Sequence, residues 1–151
     1  MKLFILSYLG LISLVASAQT YQEKAVAAVL MGEAWSEGVF GMTAVAEVIH
    51  ERTMEKGLDP LQIISAHRGR FHAFSCVNGT TLDRLISKFS RESDYPQALR
   101  IARIACQTPS QLPGLSRSAN YFTRATECPY WAKGNQPVAV IGRHAFYRLK
   151  Q

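Results

Sequence analysis

The sequence predicts an α+β domain, a mainly helical body followed by a small C-terminal antiparallel β-sheet. Three observations lead to that reading. Between Thr20 and Cys106, apolar residues recur at helical spacing in runs bounded by capping residues, glycine and proline. The stretch TPSQLPGLS at 108–116 interrupts the pattern, and the segments beyond it are short, aromatic or β-branched. Hydrophobic residues make up 48% of the chain and aromatics 10%, the composition of a packed globule rather than a disordered tail, so these segments must share a core.

Residues 1–18 stand apart from the domain. A single charge at Lys2 precedes an apolar run from Leu3 to Val15, and the small triplet Ala16-Ser17-Ala18 follows it. This is the pattern of a secretory signal peptide cleaved after Ala18. The apolar run falls short of the roughly 20 residues that a spanning helix needs. The expected product is residues 19–151, one exported domain with no stable membrane insertion, sited in the periplasm, outside the cell or in the cell wall. Its length suffices for one core and not for two.

Loss of Lys2 leaves 16 basic residues against 11 acids, a net charge of about +5 with histidines neutral. That charge suits an anionic partner, and in an exported protein the partner is an envelope polymer or lipid headgroup rather than nucleic acid. The basic residues are scattered along the chain, as on a solvated surface. Cys76, Cys106 and Cys128 allow at most one bridge within a chain, and all three pairings stay open. No CxxC spacing occurs, which speaks against a zinc ribbon or a redox motif.

Ala25, Val26, Val29 and Leu30 share a helix face, and Thr20 with Glu23 forms a capping box in front of them. That helix should fail near Ser36-Glu37-Gly38, where glycine permits a left-handed turn. A second helix is expected over 41–56, with Met42, Val45, Val48 and Ile49 inward and Gly57 ending it. Residues 58–65 read as a short helix. The stretch 67–81, HRGRFHAFSCVNGTT, reads as an ordered loop with Phe71, Phe74 and Cys76 buried. Residues 82–89 form another short helix. Over 94–106, Asp94 caps a longer one, Pro96 sits in its first turn, and Ala98, Ile101, Ala102 and Ala105 form its buried stripe. Strands are expected at 119–123, 138–141 and 145–149, with Gly142-Arg143 as a hairpin corner.

Generic catalytic motifs are weak. There is no G-x-S-x-G elbow. Cys76 with His72 or His144 could be sketched as a thiol hydrolase, but a structural cysteine is the commoner case. His67, His72 and Cys76 match no zinc spacing, and Glu47 with His50 gives a single E-x-x-H step where a di-iron bundle needs two. No metal and no cofactor are implied. A glycosidase, in contrast, needs a carboxylic acid that keeps its proton, and burial against apolar groups raises a glutamate from about 4.3 toward about 6. Glu33, preceded by Val29, Leu30 and Met31 at a helix end, is the best candidate.

GEAWSEGVFGMTAVAEVIHER (32–52), FSCVNG (74–79), ANYF (119–122), PYWA (129–132) and IGRHAFYR (141–148) together resemble the SleB-type cell wall hydrolases, which include spore cortex-lytic enzymes and have a lysozyme-like fold. The resemblance spans nearly all of 19–151. It implies that Glu33 is the catalytic acid at the bond between the two sugars of peptidoglycan. Ser75, Asn78, Tyr121, Trp131 and His144 are nominated for sugar binding because aromatic faces and short polar groups suit saccharides; Tyr121, Trp131 and His144 could equally be structural. Glycoside hydrolysis with two carboxylates needs a partner about 5–5.5 Å away for retention or about 6.5–9.5 Å for inversion. Glu37 is expected to be solvated, Glu47 and Glu51 lie on the next helix, and none makes a convincing second acid. The resemblance then implies a lytic transglycosylase, in which the muramic acid 6-hydroxyl attacks and one glutamate serves as acid and then base. The alternatives are a hydrolytic muramidase and a non-catalytic glycan-binding protein on the same scaffold. The HRGRFHAF segment departs from the family pattern, where a glutamine-phenylalanine pair is more familiar. With no separate wall-binding domain in view, targeting of an expected monomer would rest on the groove and its charge.

Overall fold

The computed structural model describes residues 19–150; the leader assigned to residues 1–18 lies outside them. The chain forms α1 (Tyr21–Ala34), α2 (Gly38–Lys56), α3 (Pro60–Ser65), a hairpin of β1 (His67–Arg68) and β2 (Phe71–His72), α4 (Leu82–Phe89), α5 (Tyr95–Gln107), and a sheet of β3 (Tyr121–Arg124), β4 (Ala139–Ile141) and β5 (His144–Tyr147). A helical body with a C-terminal antiparallel sheet is therefore the architecture, as the sequence predicts.

α1 begins where Thr20 Oγ1 accepts from Glu23 N and the Glu23 carboxylate accepts from Thr20 N, the expected capping box. Its course departs from the expectation of one apolar face. Residues 25–31 are buried without interruption, and α2, α3, α4 and α5 all pack against them. A helix that is apolar all round belongs in the middle of a core, and the run AVAAVLM supplies small side chains that let neighbours approach.

α2 starts three residues earlier than expected, at Gly38, and ends at Gly57 in the left-handed conformation (φ 63°, ψ 31°). It separates two apolar clusters. Met42, Val45, Ala46 and Ile49 face the α1 core, while Ala44 and Val48 meet Ala119 and Phe146 of the C-terminal layer. The sheet runs in the order β3-β5-β4, antiparallel throughout, with Phe122 opposite Phe146 and Ile141 opposite His144. Gly142, with φ 55°, occupies the first central position of the β4–β5 turn, which an L-residue fits poorly. A third small cluster joins Tyr121, Trp131, Ala132, Ala145 and Tyr147.

Three local expectations need correction. The 67–81 loop contains the β1–β2 hairpin, with His67 opposite His72 around Gly69-Arg70, followed by a 3-10 turn at Ser75–Val77. Two-residue strands carry too little periodicity to be seen in sequence. Phe74 is buried as expected, but Phe71 is 59% exposed on the outer face of that hairpin, where the Arg70 guanidinium lies 5.1 Å from its ring. Asp94 stands at the N-cap position of α5 without capping it, because its carboxylate accepts from Trp35 Nε1 at 2.6 Å.

Glu47, on the buried side of α2 and only 5% exposed, accepts backbone hydrogen bonds from Gly114 (2.7 Å), Leu115 (2.9 Å) and Ser116 (2.6 Å). A carboxylate held by three N–H donors ties the loop between α5 and β3 to α2. Glu47→Ala leaves those donors unmatched and should lower stability by about 3 kcal/mol, read as a lower urea midpoint at unchanged m-value.

Candidate active site

Glu33 lies half-buried in the last turn of α1. The helix stops one residue later, where a 3-10 turn (Trp35–Glu37) leads to Gly38. Gly38 has φ 64° but ψ −156°, so glycine is required there for a conformation other than the left-handed helical turn expected from sequence.

What holds the Glu33 carboxylate is the 3-10 turn Ser75–Val77. Phe74 and Val77 anchor this turn in the main core. It can come close to α1 because Gly32 has no side chain: a Cβ there would lie 2.6 Å from Cys76 Cβ and 2.9 Å from its Sγ. The close approach brings Cys76 N to 2.8 Å from Glu33 Oε1. Ser75 Oγ lies 3.2 Å from Oε1 and 3.4 Å from Oε2. Oε1 is thus fixed by a backbone donor, and Oε2 is the less engaged oxygen.

Two cavities, of about 370 and 500 Å³, meet at Glu33 and share Arg124 and His144 as walls. The first extends past Ser36, Glu37, Gly142 and Arg143; the second extends past Arg52, Ser75, Phe122 and Glu127. A carboxyl group with space on both sides is the arrangement needed to act at the middle of a chain-like substrate.

His144, 8% exposed at the start of β5, is edge-on to Phe122 with ring centroids 5.6 Å apart. Burial pulls its pKa below the ordinary 6.5, against the opposing charges of Glu37 and Glu33. It is therefore a neutral imidazole at neutral pH, and its buried Nδ1 finds no hydrogen-bond partner among the described residues.

Glu37 is not solvated, contrary to expectation. It accepts from both the backbone N and the Nε of Arg143, each at 2.9 Å, while Arg143 Nη2 donates to Ser36 Oγ at 2.6 Å. The hydrogen bond from the Arg143 side chain, and next the one from its backbone, hold the Glu37 carboxyl below the ordinary 4.5. A Cβ at residue 142 would lie 1.7 Å from Glu37 Oε2, so Gly142 serves both this approach and its own positive φ. The ion pair joins the α1–α2 corner to the β4–β5 turn and closes the end of the first cavity.

A second acid does share the cleft. Glu127 lines the larger cavity with Glu33 and accepts from Thr123 Oγ1 at 3.1 Å. Sequence reading passed over it because it follows a strand in an irregular segment.

The nominated sugar-binding residues separate into two groups. Ser75 and His144 line the cleft. Asn78 lies outside both cavities, where its Oδ1 accepts from His72 N at 2.8 Å and closes the base of the hairpin. Tyr121 and Trp131 pack on each other at 5.2 Å, and Trp131 meets Tyr147 at 5.5 Å, forming the outer layer of the sheet and lining neither cavity. Arg52, Arg124 and Arg143 were not singled out. For Arg52 a signal existed, since a charged residue three and four positions after Ile49 and Val48 stands at a core position of α2.

Burial pushes the Cys76 thiol far above its ordinary 9.0, with the nearby Glu33 charge acting the same way, and pushes Cys106 up to about 11. Cys76 is no thiolate, and the thiol-hydrolase sketch falls with it. All three cysteines are free. Among the described residues no three His, Cys, Asp or Glu side chains gather as metal ligands, and no helix is long and apolar enough to cross a membrane.

The fold is thus an α+β body whose cleft carries a positioned carboxyl group. Residues 36–147 match the model of the cell wall hydrolase family, and the chain belongs to that family. It is an enzyme acting on peptidoglycan, at work outside the cytoplasm. No curated protein and no solved structure matches it. The family match begins three residues after Glu33.

Gly32→Ala should displace the 75–77 turn and lower peptidoglycan cleavage about a hundredfold, with a smaller stability loss of about 1–3 kcal/mol, read by turbidity clearing beside thermal denaturation. Acid should lower Tm in two stages. The folded pKa of His144 lies below 6.5, so its contribution is full above about pH 6.5 and is lost as pH falls through the folded value. The Glu37 contribution is full above about pH 4.5 and is lost as pH falls through its own, lower folded value. His144→Phe should remove the first stage and leave the second.

Proposed function

We propose that this enzyme cuts the bond between N-acetylmuramic acid and N-acetylglucosamine as a lytic transglycosylase, with Glu33 as its one acid and base. The observation that supports this reading is the place of Glu33 at the meeting point of two cavities, with Oε1 tethered by Cys76 N–H and Oε2 less engaged. One cavity takes the muramyl side of the bond and the other the leaving sugar. Glu33 gives its proton to the glycosidic oxygen as the bond from the anomeric carbon breaks. The muramyl 6-hydroxyl then forms its bond to that carbon, and its proton passes to the Glu33 carboxylate, which restores the acid and leaves a 1,6-anhydro end. The attacking group belongs to the substrate, so its placement supplies rate through proximity.

Ser75 orients the carboxyl group, and the neutral His144 and Arg124 wall both halves of the cleft. Asn78, Tyr121 and Trp131 act in this reading by supporting the walls rather than by touching sugar. The leader at 1–18 brings the domain to its polymer as a monomer.

Glu127 favours a second reading, hydrolysis. On the same cavity as Glu33, it would take a proton from water as the water attacks the anomeric carbon, leaving a reducing end. Glu37 does not compete for that part, because Arg143 holds it.

Mass spectrometry of fragments released from purified peptidoglycan distinguishes the two. The expected products end in 1,6-anhydromuramic acid, fall about 1,000-fold in Glu33→Gln and persist in Glu127→Gln. Fragments carrying one added water and lost in Glu127→Gln would establish the hydrolytic route instead.

A further inference from the structure

Arg52 is a charged side chain in an unusual setting. It is 9% exposed, on α2, with its guanidinium carbon 5.1 Å from the Phe74 ring centroid and 5.2 Å from that of Tyr121. Nε donates to Asn120 O at 2.8 Å. Asn120 is itself immobilised, since Nδ2 donates to Glu55 and to Leu149 O while Oδ1 accepts from Leu149 N. The guanidinium is therefore clamped between two rings and fixed from behind.

No carboxylate forms an ion pair with it among the described residues, although the Glu55 and Glu33 charges favour its cationic form from a distance. The ion pairs among the described residues engage Arg103, Arg143 and Arg148, not Arg52. Nη1 and Nη2 make no hydrogen bond among the described residues, yet neither is among the buried polar atoms sealed from solvent. Arg52 lines the larger cavity beside Glu33, so these donors open onto it. A rigid planar fork with two free donor groups matches a carboxylate.

We infer that Arg52 is the carboxylate-binding element of the larger cavity and reads an acidic group on the muramyl side of the substrate. This rests on the proposed cleavage site only in placing a muramyl residue there. Two sources on a glycan strand have the required chemistry: the free carboxylate of the muramyl lactyl ether where no peptide is attached, and the carboxylates of an attached stem peptide. Because the rings and Asn120 hold the guanidinium in place before binding, little side-chain freedom is lost on capture.

The test is equilibrium binding to Glu33→Gln, which separates recognition from turnover. Three short strands serve as probes: one with free lactyl carboxylates, the same strand with those groups converted to carboxamides, and one bearing stem peptides. Each is titrated into Glu33→Gln alone and combined with Arg52→Lys or Arg52→Met, with Tm recorded for every variant. The expected result is about tenfold tighter binding of a carboxylate-bearing strand than of the carboxamide strand, a preference lost in Arg52→Met and reduced in Arg52→Lys. Preference for the free-lactyl strand assigns the lactyl carboxylate; preference for the peptide-bearing strand alone assigns a stem-peptide carboxylate. Equal binding of all three strands overturns the inference, and so does a preference that survives Arg52→Met, which would transfer the role to Arg124. If Arg52→Met fails to fold, Arg52→Lys decides alone. Failure of the transglycosylase reading would show in the products of the unmutated enzyme and leaves this binding result standing.

Discussion

The close approach of the 75–77 turn to α1 at Gly32 is the contact on which the site depends. An acid at a helix end in water adopts many rotamers and is a poor reagent. Here a missing side chain lets another segment come within hydrogen-bonding distance, and a backbone N–H from that segment fixes one carboxyl oxygen. Backbone donors keep their position because Phe74 and Val77 root the turn in the core. The precision of the acid is thus derived from packing on the far side of the turn.

The same economy governs the other buried acids. Glu47 gathers three amides and Glu37 gathers Arg143, so each ties a loop to the helical body. These contacts add to apolar anchors such as Leu112 and Leu115, which pack against the two core clusters. α2 makes this workable because it is buried on two sides, against α1 and against the sheet, and so can carry charged groups whose partners come from either layer.

The helices, the capping box at Thr20, the glycine stop at Gly57 and the β4–β5 corner were legible in sequence because each depends on residues close to one another. The α+β class followed from them. What could not be read was whatever depends on distant pairing. Glu37 looks solvated until Arg143, 106 residues away, is beside it. Tyr121 and Trp131 look like sugar platforms until they are found packed at a tilt against each other. The continuous burial of α1 was visible as AVAAVLM but reads as one face when no neighbours are known. Glu33 stood out by type and position, whereas its partners on the turn and the acid at Glu127 emerge only when the chain is folded.

The cleft is made from opposite ends of the chain. Glu33 and Glu37 belong to the first helices, and the wall opposite them includes Arg143 and His144, near the C-terminus. Both cavities require β5 to pair in the sheet, because His144 lines each of them. A chain interrupted before His144 would carry the acid without the enclosure, so the ability to cut polymer is switched on by completion of folding rather than by formation of the helical body.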